Sequence, residues 1–121
     1  MAGKGGTLAP SDFESLKGLV GSFGASTLAL KVAKACNQKA AALNHEYPKS
    51  AVAAAYVATA SKIANAGLGS PKMIPGSAFV TVGQMVGKYG AELVVQKLAK
   101  SVKKTDASLY NKLNSIFPKI S

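Results

Sequence analysis

Side chains capable of acid–base, nucleophilic or metal chemistry are scarce in this chain. Its carboxylates are Asp12, Glu14, Glu46, Glu92 and Asp106, its one imidazole is His45 and its one thiol is Cys36. General acid–base work by carboxylates needs two of them in one pocket with pKa values pushed apart. Asp12, Glu14 and Asp106 instead stand where helix starts would place acids anyway. A Ser-His-Asp or Cys-His relay would have to be built around His45, in a segment, NHEYP, that Pro48 breaks. His45 and Cys36 together are too few ligands for a metal, and a single cysteine forms no intramolecular disulfide, which suits a reducing or virion interior. The residues point to a non-enzymatic protein that needs no cofactor.

What the chain has in quantity is lysine. Fifteen lysines and no arginine face five acids, a net charge of +10 over 121 residues. A polycation of this size meets a polyanion or spends its charge on solubility. Lysine grips phosphate as a point charge without demanding a fixed geometry. The candidate phosphate-binding lysines are Lys31, Lys34 and Lys39, then Lys97, Lys100, Lys103 and Lys104, with Lys4 near the N-terminus. Base-specific readout leans on Arg for guanine and on Asn or Gln for adenine. Here Arg is missing and the candidate helices offer only Asn37, Gln38 and Gln96, so backbone contact is expected over sequence recognition.

The elements that must carry these lysines recur. GSFGASTLALKVAK, beginning at Gly21, returns as GKYGAELVVQKLAK, beginning at Gly87, a displacement of 66 residues. Gly24 pairs with Gly90, Lys31 with Lys97 and Lys34 with Lys100, while Phe23 and Tyr89 exchange one ring for another. Upstream, Ser11, Phe13 and Val20 match Ser77, Phe79 and Val86 at the same displacement. The pattern predicts an internal duplication: copy one over 11–66, a linker over 67–76 rich in Gly and Pro, and copy two over 77–121, the two sharing one core.

Residues 1–10, with three glycines, Lys4 and Pro10, read as a flexible basic arm. The expected fold is all-α, about six helices in two helix-turn-helix units. The first starts at Ser11, which with Glu14 forms a capping box, and ends at Gly24 in a left-handed turn. The second runs from Ala25 to about Leu43 and the third over 49–66, with Val52, Tyr56, Thr59 and Ile63 inward and Gly67 as its stop. Ser77 to Lys88 favours a strand by its β-branched residues but takes helix from its counterpart in the first copy. A fifth helix covers 91–103, with its lysines outward, and a sixth, capped by Asp106, covers 107–117.

The glycine pairs follow helices and lack phosphate-loop spacing, so they are helix stops. The longest apolar run, AVAAAYVATASKIA, is broken by Ser61 and Lys62, and no secretory signal or membrane span is expected. In composition the chain resembles coat or nucleoid proteins that package viral or bacterial DNA. That resemblance implies a structural nucleic-acid-binding protein, with DNA ahead of RNA, in a cytoplasmic nucleoid or a virion, and with possible homo-oligomers. The alternative is a helical assembly or scaffold protein whose partner is another protein.

Overall fold

The computed structural model describes residues 7–117, and within them the chain forms six helices and no strands: α1 (Pro10–Phe23), α2 (Ala25–Glu46), α3 (Ala51–Ala64), α4 (Gly76–Tyr89), α5 (Ala91–Val102) and α6 (Ala107–Ile116). The β-branched segment around Val80 is helical, because its apolar residues Ala78, Val82, Met85, Val86 and Tyr89 recur at helical spacing and all are buried.

Two joints set the geometry. A single glycine separates α1 from α2 and α4 from α5, and each caps the helix before it. The Gly24 amide donates to the Val20 carbonyl at 2.8 Å and the Gly90 amide to Val86 at 2.9 Å. Their dihedrals nearly coincide, φ 87° and ψ 147° at Gly24 against φ 89° and ψ 148° at Gly90. The positive φ matches the sequence reading, but ψ is extended and not left-handed helical. This combination is essentially confined to glycine, and it turns the chain sharply enough for the next helix to begin at the following residue. Helices α1 and α4 are both fourteen residues long and their bounds differ by the same 66 positions as the sequence match.

Several expectations are corrected. Ser11 is not a cap: Pro10, with its fixed φ and missing N–H, occupies the helix start, Ala9 is the capping residue, and no side chain hydrogen-bonds there. Residues 7–9 do not belong to a flexible arm, since Leu8 is buried in the core and the Ala9 amide donates to the Tyr89 hydroxyl at 3.1 Å. Residues 1–6, including Lys4, lie outside the described residues. Helix α2 continues three residues past Leu43 to Glu46, so His45 is helical. Tyr47 then leaves the helical dihedrals before Pro48, whose ring disfavours them in the preceding residue. Ser50, not Lys49, opens α3, accepting from the Ala53 amide, and Asn65 ends it ahead of Gly67. Val52 is 46% exposed, while Ala53, Ala60 and Ile63 face inward. Asp106 does cap α6, accepting from the Leu109 amide at 3.0 Å.

The two lysine-bearing helices α2 and α5 sit at the centre. Helix α2 packs on α1, α3, α4 and α5, and α5 packs on α1, α2, α4 and α6. The packing is reciprocal, since α1 lies against α5 and α4 against α2, so each half lends its first helix to the other. Leu16, Leu28, Val32, Ile63, Val82, Val86, Val94, Leu98 and Leu113 fill the interior with almost no exposure. Alanines on the buried side of α2 and α3, among them Ala29, Ala33, Ala40, Ala53 and Ala60, let those helices approach closely where bulkier side chains would hold them apart.

Candidate nucleic-acid interface

Lysine positions follow from which helix face the core leaves free. On α2, burial of Val32, Ala33, Ala35 and Cys36 leaves Lys34 exposed and Lys31 and Lys39 half-buried. On α5, burial of Val94, Val95, Leu98 and Ala99 leaves Lys100 exposed and Lys97 half-buried, and Lys103 and Lys104 follow the helix end in the open.

The lysine chains do not spread over one face. Lys34, Lys100 and Lys103 each reach an aromatic ring of a helix packed beside their own. The Lys34 ammonium lies 5.1 Å from the centre of the Phe79 ring on α4, and the Lys100 ammonium 5.9 Å from the Phe13 ring on α1. Phe13 and Phe79 are 66 positions apart, as are Lys34 and Lys100, so the contact is made twice with partners exchanged between halves. Cation–π distances of this size hold an ammonium against a ring face while leaving it hydrated on its outer side. Lys103 makes a similar approach to Tyr110 on α6 at 5.8 Å. The Lys39 ammonium lies over α4, 3.3 Å from where a β-carbon on Gly87 would stand, so the absence of a side chain at Gly87 is what admits it.

Two grooves result. Between α5 and α6, Lys100 and Lys103 line a cavity of about 140 Å³ with Gln96, Tyr110 and Asn114. Between α2 and α4, Lys39, Gln38, Phe79 and Gly83 line one of about 260 Å³ whose walls are otherwise apolar. Lys100 and Lys103 are therefore brought together, Lys39 lines the separate groove, and Lys34 does not line it but lies over the Phe79 ring in its wall. Lys31, Lys97 and Lys104 line neither cavity. Lys17 was missed by sequence reasoning. Its ammonium lies 5.1 Å from the same Phe13 ring that Lys100 approaches. The spacing Phe13 to Lys17, one helical turn, is the signal that could have found it.

Asp12, Glu14 and Asp106 are engaged away from these lysines. Among the described residues the ion pairs are Lys17 with Glu14 at 2.9 Å and Lys88 with Asp12 at 3.1 Å. Asp12 also accepts from the Tyr89 hydroxyl. These hydrogen bonds, from Tyr89 first and Lys88 second, hold its carboxyl below the usual range, and the Asp12 carboxylate in turn raises Lys88. Asp12 thus ties the start of α1 to the end of α4. Lys34, Lys100 and Lys103 end on rings and not on acids. Cys36 is fully enclosed, and burial pushes its thiol up to about 11, far from the range in which it would ionise and attack.

Among the described residues no three His, Cys, Asp or Glu side chains are placed to hold a metal ion together, and no helix is long and apolar enough to cross a membrane. No protein-family model matches the chain, and no curated protein or solved structure matches it either.

Proposed function

We propose that this is a non-enzymatic, structural nucleic-acid-binding protein that grips backbone phosphates through lysines on its two central helices, as a packaging protein of a nucleoid or a virion would. The observation that carries the reading is the placement of Lys34, Lys39, Lys100 and Lys103 at two helix grooves, three of them held on aromatic rings and none in an ion pair with a described carboxylate. Lysine contacts to phosphate are sequence-tolerant, which favours packaging over site-specific control. DNA is the favoured polyanion. The matched glycine joints, the equal α1 and α4 and the exchanged Lys–Phe contacts support descent of the two halves from one duplicated helix pair, which would present two equivalent lysine sets to one polyanion.

The test is direct. Freshly purified protein should carry nuclease-sensitive absorbance at 260 nm, and its affinity for DNA should fall with a slope of about −4 to −7 in log K against log salt if four to eight phosphates are neutralised. A slope near zero would sink the proposal.

One observation favours a second reading, an assembly protein that binds copies of itself or another helical protein. The outward face of α3 has no charge over its first three turns: Ala51, Val52, Ala54, Ala55, Val57 and Ala58 are all exposed. On that reading light scattering after nuclease treatment finds an oligomer, and Val52→Glu with Val57→Glu reduces it to a single chain.

A further inference from the structure

The groove between α2 and α4 differs from its counterpart in one informative way. On α1, the residue 66 positions before Gly83 is Lys17, whose ammonium covers Phe13 and pairs with Glu14. On α4 those three positions are Phe79, Val80 and Gly83. The acid has become apolar and the covering lysine has lost its side chain altogether. What remains is a cavity of about 260 Å³ beside the Phe79 ring, walled by Ala35, Ala42 and Val80. Val80 is 55% exposed in that wall. At the edges stand the Gln38 amide and the Lys39 ammonium, with Lys34 5.1 Å from the ring centre. Among the described residues no carboxylate lines it.

We infer that this groove takes one unpaired nucleobase of a single-stranded nucleic acid, held against Phe79, with the flanking phosphates on Lys34 and Lys39. The inference rests on the nucleic-acid reading above and makes it more specific. Sites for single strands combine aromatic platforms for the bases with positive charge along the backbone, and stacking is tolerant of base identity because every base has a π-face. A duplex keeps its bases stacked on one another and offers none to such a groove. The volume lies below the roughly 300–1,000 Å³ of pockets that enclose a whole drug-sized ligand, which suits a single ring system whose sugar and phosphates stay outside. The Gln38 amide, a donor and an acceptor, is placed at the cavity for a base edge. The apolar walls alone would suit a second copy of the chain, but two lysines beside an acid-free groove would then bring like charges of a +10 protein together.

Gly83→Lys tests this, because charge and pocket push in opposite directions. A β-carbon at Gly83 meets nothing within 4 Å, and lysine favours the helix over glycine, so the variant folds with a lysine beside Phe79 where Lys17 stands beside Phe13. Anisotropy titrations at one salt concentration compare oligodeoxythymidylate with an abasic strand of the same length and with a duplex. The unaltered protein should prefer the strand with bases by about tenfold, the scale of one stacked base. Gly83→Lys should bring the two strands within about twofold while holding or tightening the abasic and duplex complexes. Phe79→Leu, which keeps the apolar volume and the charge, should lose the same preference. Equal affinity of the unaltered protein for the two strands overturns the inference, as does Gly83→Lys tightening both alike; in either case duplex binding persists and the phosphate-gripping reading stands. Failure to bind any of the three polyanions overturns both. An oligomer that Gly83→Lys dissociates assigns the groove to a second copy and also overturns the inference.

Discussion

At the scale of single residues, Tyr89 and Asp12 show how one hydroxyl organises a terminus. The Tyr89 hydroxyl accepts from the Ala9 amide and donates to Asp12, fixing the start of α1 against the end of α4. Its counterpart, Phe23, has no hydroxyl, so the first half lacks this clasp. Tyr89→Phe should therefore cost about 1 kcal/mol in urea unfolding at neutral pH, the usual scale for a lost hydrogen bond. The pH dependence follows from Asp12. A carboxylate whose folded pKa is depressed contributes stability that is present above its unfolded value, about 3.9, and disappears as pH falls through the folded value. Denaturation midpoints measured from neutral pH down past that window should fall less in Tyr89→Phe than in the unaltered protein, because the hydroxyl is the larger cause of the depression. Parallel acid limbs would show that Asp12 titrates independently of Tyr89.

At the scale of elements, the one-residue joints decide whether the helix pairs form. Gly24 has open space around the position of a β-carbon, so the penalty for a side chain there is conformational and not steric crowding by neighbours. Gly24→Ala should destabilise by about 1–3 kcal/mol, the cost of holding a non-glycine residue in that region. Gly18→Ala and Gly21→Ala lie inside α1 with the same open surroundings and helical backbone, so each should instead stabilise by about 0.5–1 kcal/mol. Thermal melts of the three variants check the contrast. A Gly24→Ala protein that melts with the unaltered one would mean that the joint tolerates another backbone path. Most helix limits were legible: Gly24, Pro48, Gly90 and Asp106 punctuate the chain by mechanisms that act within a turn. The start of α1 was misread because Ser11 and Glu14 satisfy the capping-box pattern, yet Pro10 preset the backbone one residue earlier.

At the scale of the whole molecule, charge and its placement separate. Replacing Lys34, Lys39, Lys100 and Lys103 by Glu brings the net charge from +10 to +2, and so does replacing Lys49, Lys72, Lys104 and Lys112, which are exposed and line neither groove. Lys17 is no proper control, because its ammonium shares the Phe13 ring with Lys100. Both quadruple variants lose the same long-range attraction for a polyanion, screened over about 10 Å at 0.1 M salt. The groove variant alone should also lose most of the salt slope, since it alone removes the ammoniums that displace counterions. Circular dichroism should find helix retained in both. Equal slopes in the two would mean that the polyanion sees only net charge.

By itself the sequence determined the helical class, the six segments, the glycine joints, the excess of lysine and the 66-residue echo, because helix periodicity, glycine dihedrals and composition are properties of neighbours or of sums. The tertiary structure alone decided that Leu8 is buried, that Val52 is not, and that Asp12, in the first turn of its own helix, also accepts from Tyr89, 77 positions away. It also decided that Lys34 rests on Phe79 and Lys100 on Phe13, each on a ring of the other half. The expectation of outward lysine faces held for the backbone positions, but long side chains go where the neighbouring helix offers a ring, and no local pattern records which helix that is. The candidate site was legible as residue types and illegible as a place: Phe79 and Gly83 become a groove only because α4 packs on α2, and that pairing is set by the complementary burial of Val82 and Val86 with Leu28 and Val32 in a shared core.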